Sequence, residues 1–115
     1  MGTGEAEWLS LIRERILQNL NNEQLSVGFL AVYCGISERQ FARKIKTLTG
    51  LSPGNFIQAI RLERALYLLE KRIYPTVSEV SHAVGCKNPG YFSKIFQARY
   101  GKPPKAYLMI TPKGP

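Results

Sequence analysis

The sequence has no aspartate, a single histidine (His82) and two cysteines (Cys34 and Cys86), and each scarcity excludes a class of chemistry. A carboxylate–histidine pair could use only one of the eight acidic residues, all of which are glutamates. The cysteines and the histidine lack the spacings of metal-binding motifs, and two cysteines are too few for a disulfide scaffold. We therefore expect reduced thiols, no metal, no cofactor, no catalytic residues and no enzymatic activity.

Long apolar segments are also missing. No run approaches the roughly 18 consecutive apolar residues that cross a bilayer, and residues 1–10 lack the basic start and apolar stretch of a secretory signal. We therefore expect a cytoplasmic protein without a membrane segment. A hydrophobic fraction of 44% in 115 residues is enough for a packed core and predicts one domain or two very small ones.

Positive charge is abundant but unevenly distributed. The chain has 16 lysines and arginines against 8 glutamates, which gives a formal net charge of +8. Residues 1–36 hold two basic and four acidic residues, a net of −2, whereas residues 37–115 hold fourteen basic and four acidic residues, a net of +10. An evenly solvated surface does not require this asymmetry, so the second segment predicts a polyanionic partner.

Helical signals run along the whole chain, and the sequence has no strand signals. Apolar residues recur at helical spacing, short polar residues stand at N-cap positions, and glycines or prolines separate the segments. The predicted helices cover about residues 7–20, 27–33, 38–49, 53–71, 77–84, 89–100 and 104–108. Residues 1–6 are predicted to be a disordered start, and residues 111–115 a flexible tail.

The sequence also contains an internal repeat. When the chain is shifted by about fifty positions, caps align with caps, glycines with glycines and apolar residues with apolar residues. The aligned pairs include Ser26 and Thr76, Gly35 and Gly85, Ser37 and Asn88, Phe41 and Phe92, Arg43 and Lys94, and Gly50 and Gly101. Each copy has a short helix, a tight glycine turn and a longer helix with a basic side, which is the helix-turn-helix pattern.

The repeat predicts an all-α fold, a seven-helix bundle of two helix-turn-helix subdomains at residues 7–52 and 72–110. A long linker helix at residues 53–71 joins them, and about 18 residues at ~1.5 Å each span roughly 27 Å. The second helix of such a motif enters the major groove, and successive groove segments lie ~34 Å apart. We therefore predict that one chain places two recognition helices in successive major grooves of double-stranded DNA.

Three runs in the sequence carry a family resemblance over about residues 8–108. They are SxxxFxRxIKxxTGxSP from Ser37, RLERAxxLL from Arg61 and YFSKxFxxxYGxxPxxY from Tyr91. In this order and spacing they resemble the DNA-binding domain of the AraC/XylS family of bacterial transcription regulators. The resemblance implies seven helices in two helix-turn-helix subdomains joined by a long linker helix, with sequence-specific DNA binding that positions RNA polymerase.

The resemblance also implies a larger protein. The family usually carries this domain at the C-terminus, behind a sensor or dimerisation domain. The sequence of residues 37–57 is similar to members of the family that are fused to response regulators or hybrid sensor kinases of two-component systems. Residues 1–4 look like an added start, so we expect an excised output domain that is monomeric in isolation and dimeric in the full-length protein.

The candidate DNA contacts lie on the two predicted recognition helices and their flanks. Residues expected to contact bases are Arg39, Gln40, Arg43, Tyr91 and Lys94, and residues expected to contact phosphates are Ser37, Lys44, Lys46, Lys87, Asn88, Ser93 and Lys105. Arg39 and Arg43 match positions where members of the family contact bases, and Lys94 matches the corresponding position in the second motif. Gln97 lies on the same predicted exposed face without an assigned contact.

The second motif departs from the family pattern. Pro89 and Gly90 open its recognition helix where the family has polar residues, and neither can read a base edge with a side chain. Cys86 follows Gly85 where the family has phenylalanine. The departures leave open a non-sequence-specific nucleic-acid-binding module of a larger regulator. A helical protein-interaction domain is a further alternative. On the linker helix we expect structural or surface salt-bridge roles for Arg61, Glu63 and Arg64.

Overall fold

The computed structural model describes residues 2–109, with side chains from residue 4 onward. Seven α-helices lie in this part of the chain, and none of its residues forms a strand. They are α1 (Gly2–Gln18), α2 (Val27–Cys34), α3 (Glu38–Thr49), α4 (Pro53–Glu70), α5 (Val77–Ala83), α6 (Pro89–Tyr100) and α7 (Pro104–Met109). The predicted all-α class is confirmed. The predicted tail at residues 111–115 lies outside the described residues.

Short polar side chains begin five of the helices, as the sequence predicts. In each case the side-chain oxygen accepts a hydrogen bond from the backbone N–H three residues later, which satisfies a donor that the first helical turn leaves free. These N-cap residues are Ser26, Ser37, Ser52, Thr76 and Asn88. At Thr76 the hydroxyl also donates to the Glu79 carboxylate at 2.8 Å, so the third helical residue supports the cap.

The first helix begins earlier than the sequence predicts. α1 starts at Gly2 and not near Glu7, so residues 2–6 are helical and the expectation of a disordered start is wrong for them. Glu5 and Ala6 are good helix formers, and Glu5 lies in the first turn, where the helix dipole favours an acidic side chain. The apolar periodicity starts only at Trp8 and therefore gives no signal for this turn.

The first unit of the chain extends to Arg61 and contains α1, α2, α3 and the first half of α4. Its core holds fully buried aliphatic and aromatic side chains from each of these helices: Ile12, Ile16, Leu30, Ala31, Phe41, Ile45 and Ile60. Arg61 donates a 2.7 Å hydrogen bond to the Leu20 carbonyl, which ties α4 to the end of α1. This contact confirms the structural role expected of Arg61.

The second unit begins at Leu62 and has an aromatic centre. The Phe96 ring lies 5.7 Å from the Phe92 ring, 4.8 Å from the Tyr100 ring and 5.6 Å, edge-on, from the Tyr107 ring. Val80, Val84, Leu69 and Pro104 are fully buried in the same unit. Arg72 donates to the Leu108 carbonyl at 3.1 Å and so holds the end of α7. None of the described helices is long and apolar enough to cross a membrane.

Candidate nucleic-acid interface

The face of α3 that points away from the first core carries a row of cations. Phe41 and Ile45 are fully buried on the inner side of the helix. Arg39, Arg43 and Lys46 follow each other at steps of four and three residues, so they lie on one face, and all three are exposed. We call these three residues the α3 stripe. It gives the first helix-turn-helix motif a positively charged outer surface.

Two residues of the α3 stripe are available to a partner. Within residues 2–109, no hydrogen bond, salt bridge or ring contact engages the side chain of Arg39 or Arg43. Lys46 differs, because its ammonium donates to the Gly50 carbonyl at 2.9 Å and thereby caps the C-terminus of α3. The guanidinium groups of Arg39 and Arg43 therefore supply the donors that this face can offer.

Gln40 and Ser37 form a capping box at the start of α3. The Ser37 hydroxyl accepts from the Gln40 backbone N–H at 3.1 Å, and the Gln40 side-chain oxygen accepts from the Ser37 backbone N–H at 3.0 Å. Both side chains are exposed. Because the cap engages the Gln40 oxygen, the side-chain NH₂ group is the part of this amide that remains for a base.

Lys44 lies at the flank of α3 and contacts an aromatic ring. Its ammonium is 4.4 Å from the centroid of Trp8, and the Trp8 ring is 5.8 Å from that of Phe41. Lys44 thus forms a cation–π contact with α1 while its side chain stays exposed. Sequence reasoning missed this contact, because helical spacing places Lys44 near the edge of the buried side but does not identify a partner on another helix.

The corresponding face of α6 carries less charge. Gly90, Lys94 and Gln97 occupy the positions that Arg39, Arg43 and Lys46 have in the first motif, and all three are exposed. One cation therefore stands where the first motif has three. Lys94 has no partner among the described residues, and Gln97 is a potential contact that the sequence did not assign.

The remaining candidates of the second motif surround the start of α6. Tyr91 is 55% exposed, so its ring points away from the core formed by Phe92. Asn88 caps the helix by accepting from the Tyr91 backbone N–H at 3.0 Å. Lys87, Asn88 and Lys105 are exposed. Ser93 is half-buried, whereas the other candidates are exposed, so Ser93 is the least accessible of them.

Three other cations make contacts with side chains of their own unit. Arg99 pairs with Glu63 at 3.6 Å, and the Arg64 guanidinium lies 4.7 Å from the centre of the Tyr67 ring. Both contacts agree with the structural or salt-bridge roles expected on the linker helix. The Lys102 ammonium lies 4.8 Å from the centre of the Tyr107 ring. These cations lie outside the α3 stripe and the matching face of α6.

The cysteines and the histidine do not assemble into a reactive site in the described part of the chain. Cys34 and Cys86 are half-buried and are not joined in a disulfide, and His82 is exposed on α5. Burial raises the pKa of the Cys34 thiol, although Lys44 and a hydrogen bond with Trp8 act in the opposite direction. No group of three histidine, cysteine or acidic side chains among the described residues could hold a metal ion.

Known proteins resemble this chain in sequence and in fold. A family model described as a helix-turn-helix domain matches residues 30–109. A protein named histidine kinase P4, from Formosa agariphila, is 42% identical over 89 residues, which cover 77% of this chain and 6% of that protein. The chain spans between 6% and 50% of the length of the first curated relatives it matches.

Two solved structures share the arrangement of helices. A transcriptional regulator from Chromobacterium violaceum, described as an AraC-type DNA-binding domain-containing protein, matches with a TM-score of 0.81 and 25% identity, over 92% of this chain and 93% of that one. The DNA-binding domain of AdpA, a global transcriptional factor solved in complex with a target DNA, matches with a TM-score of 0.76 and 32% identity. The match covers 87% of this chain and 88% of the AdpA chain.

Proposed function

Because the chain belongs to the AraC-type family of helix-turn-helix DNA-binding domains, we propose that it binds double-stranded DNA at specific sequences and thereby regulates bacterial transcription. The α3 stripe carries this proposal. Arg39 and Arg43 place two unpaired guanidinium groups on the outer face of a recognition helix, and arginine donates two hydrogen bonds to the O6 and N7 atoms of guanine. The AdpA domain, solved with its target DNA, is a relative of the same fold.

Base contacts in the first motif come from Arg39, Arg43 and Gln40. The two arginines donate to guanine edges. Gln40 keeps its oxygen in the capping box, so it donates through its NH₂ group to a single acceptor such as N7 of a purine or O4 of thymine. This contact is weaker than the bidentate contact that a free glutamine makes with adenine.

Phosphate contacts set the register and most of the affinity. In the first motif they come from the Ser37 hydroxyl and from the ammonium groups of Lys44 and Lys46. Lys44 leaves the Trp8 ring or reaches past it, and Lys46 exchanges its bond with the Gly50 carbonyl for a phosphate. Each lysine already has a weak partner, so each gains less from a phosphate than an unpaired cation does.

The second motif contributes fewer base contacts. Lys94 donates to a guanine edge, and the exposed Tyr91 ring contacts a base, for example a thymine methyl group. The phosphate contacts of this motif are Lys87, Asn88, Ser93 and Lys105. Gly90 lacks a side chain at the position of Arg39, so we assign the larger share of sequence discrimination to the first motif.

The single cation on the outer face of α6 favours one alternative, a nucleic-acid-binding module without sequence preference. Such a module would hold DNA through phosphates alone and would depend on another domain for its specificity. The unpaired arginines of the α3 stripe favour the sequence-specific function over this alternative.

The wider setting follows from the family. We propose that the chain positions RNA polymerase at promoters, acts in the cytoplasm and has no enzymatic activity. The similarity to a protein named histidine kinase P4, of which the chain spans 6%, supports a role as the output domain of a two-component system. We expect the isolated chain to be a monomer and the full-length protein to act as a dimer.

Selection of binding sites from a pool of random duplexes tests the proposed function. We expect a consensus that contains guanines at the positions read by Arg39 and Arg43, and a second conserved segment if α6 also reads bases. Repeating the selection with Arg43→Ala should relax one position of the consensus and leave the others unchanged. A pool that binds but yields no consensus would support the non-specific module instead.

A further inference from the structure

An apolar surface lies on α1 and α2, outside the α3 stripe. α2 has no charged residue, and only Leu30 and Ala31 are buried in it. Val32 is 81% exposed and Tyr33 46% exposed, and Leu11 on α1 is 59% exposed. Leu11 lies one turn before Arg15, so it borders the same side of α1. We call Leu11, Arg15, Phe29, Val32 and Tyr33 the α1–α2 patch.

A cation with an unused donor lies within this patch. The Arg15 guanidinium lies 4.3 Å from the centre of the Tyr33 ring and 5.7 Å from that of Phe29. Its Nε atom is buried, and no hydrogen-bond acceptor reaches it within the described residues. A ligand cannot reach an atom this buried, so an acceptor would meet the terminal NH₂ groups of the guanidinium, which make no hydrogen bond among the described residues.

The surface around Arg15 is concave. An open pocket of about 480 Å³ is lined by Arg15, Gln24, Ser26, Gly28, Phe29, Val32 and Tyr33. Its walls are therefore largely apolar and aromatic, with one guanidinium among them. Aromatic residues and arginine are the residue types enriched at the centres of protein interfaces, where an apolar side chain and a paired charge are buried together.

The charge around the patch disfavours nucleic acid as its ligand. Residues 1–36 carry a net charge of −2, and Glu7 and Glu14 are exposed on the same helix as Arg15. A phosphate backbone would approach these carboxylates, whereas a single carboxylate next to apolar side chains would meet Arg15 and the aromatic walls. The complementary ligand is thus mostly apolar and carries one acidic group.

We propose that the α1–α2 patch is a docking site for a segment of a partner protein in which an acidic residue stands beside large apolar residues. The carboxylate accepts hydrogen bonds from the Arg15 guanidinium, and the apolar side chains cover Val32 and Tyr33. This interaction uses residues of α1 and α2 that the proposed DNA contacts do not.

Random peptides displayed on phage and selected on the intact protein test this proposal. Enriched peptides should contain aspartate or glutamate next to leucine, isoleucine, phenylalanine or tryptophan. The best peptide, made synthetically, should lose at least about tenfold in affinity when its acidic residue is changed to the amide. A comparable loss should follow Arg15→Met or Val32→Asp in the protein. No enrichment, or enriched peptides without acidic residues, would overturn the proposal.

Ile73→Asp is the matched control, because Ile73 is 52% exposed but lies outside the patch. The peptide should bind this variant as it binds the unchanged protein. Circular dichroism checks that each variant is folded. If Arg15→Met does not fold, Val32→Asp still tests the proposal, because Val32 is 81% exposed. Peptide binding that is indifferent to Val32→Asp would place the site elsewhere. Light scattering that shows a dimer broken by Val32→Asp would assign the patch to a second copy and contradict the proposal.

Discussion

In the proposed function, direct base readout depends most on Arg43, because it lies opposite the buried side of α3 and its guanidinium has no partner in the described chain. We predict that Arg43→Ala lowers affinity for the selected site by about 10- to 100-fold, the equivalent of about 1–3 kcal/mol for a lost bidentate contact. Affinity for random duplex should fall much less. Fluorescence anisotropy with both duplexes measures the two effects.

Lys105→Ala provides the contrast, since Lys105 is exposed and is proposed to contact a phosphate. Its loss should weaken binding to selected and random duplexes by a similar factor and reduce the salt slope of log K by about 1. If Arg43→Ala behaves in this uniform way, Arg43 is a phosphate contact and base readout has to be reassigned.

Cys34 lies near the turn of the first motif, and burial raises the pKa of its thiol. Because only the thiolate reacts, we predict that alkylation of Cys34 reaches half its maximal rate at a higher pH in the folded protein than in the urea-unfolded protein. Stability should accordingly fall as the pH rises above the ordinary thiol pKa of 9.0, where the unfolded state loses its proton first. The Cys86→Ala variant leaves Cys34 as its single thiol. Identical pH profiles of alkylation in the folded and the unfolded protein would contradict the prediction.

At the scale of the helices, most boundaries could be predicted from the sequence because they depend on local chemistry. Ser37 and Asn88 cap their helices, and Gly50 and Gly101 end them in the left-handed conformation. The start of α1 could not be predicted in the same way, since it has no cap signal and precedes the apolar periodicity. Local signals thus set most of the helix ends, and they fail where the terminal turn depends on propensity alone.

Gly35 gives a test at this scale. It follows α2 with φ of +71°, and a Cβ atom at this position would meet no other atom within 4 Å. We predict that Gly35→Ala destabilises the protein by about 1–2 kcal/mol through backbone conformation alone. Gly54→Ala, in open space in the first turn of α4, should instead stabilise it by up to about 0.5 kcal/mol. Urea unfolding measures both values, and equal effects of the two substitutions would contradict this account.

The sequence predicts which side chains of the candidate site are exposed, but it does not predict which groups they contact. Helical spacing correctly places Arg39 and Arg43 on the outer face of α3. It does not reveal that Lys44 reaches the Trp8 ring or that Gln40 holds the N-terminus of its own helix. These contacts depend on rotamers and on neighbouring helices, which a periodic pattern does not specify.

At the scale of the whole molecule, the chain has a net charge of +8 and divides into two compact units. The boundary falls between Arg61 and Leu62, inside α4, whereas the sequence assigns residues 53–71 to a separate linker. Each unit therefore contains half of that helix together with one helix-turn-helix motif. The second helix of each motif, α3 or α6, lies in residues 37–115, the segment with a net charge of +10.

The charge of the whole chain predicts a strong dependence of DNA binding on salt. If the four proposed phosphate-binding lysines each neutralise one phosphate, log K should fall with log salt concentration with a slope of about −3.6. The candidates are Lys44, Lys46, Lys87 and Lys105. Titrations of random duplex at several salt concentrations give this slope. A slope near zero would favour a protein-interaction domain without a role in nucleic-acid binding.

The central claim is that the α3 stripe reads a DNA sequence. The most direct test is the ratio of dissociation constants for a random duplex and for the selected site, measured in ~0.15 M salt with the unchanged chain. We predict a ratio of at least about 10³, as specific DNA-binding proteins show, and a fall of about 10- to 100-fold in this ratio for Arg43→Ala. A ratio near unity for the unchanged chain would contradict sequence-specific binding.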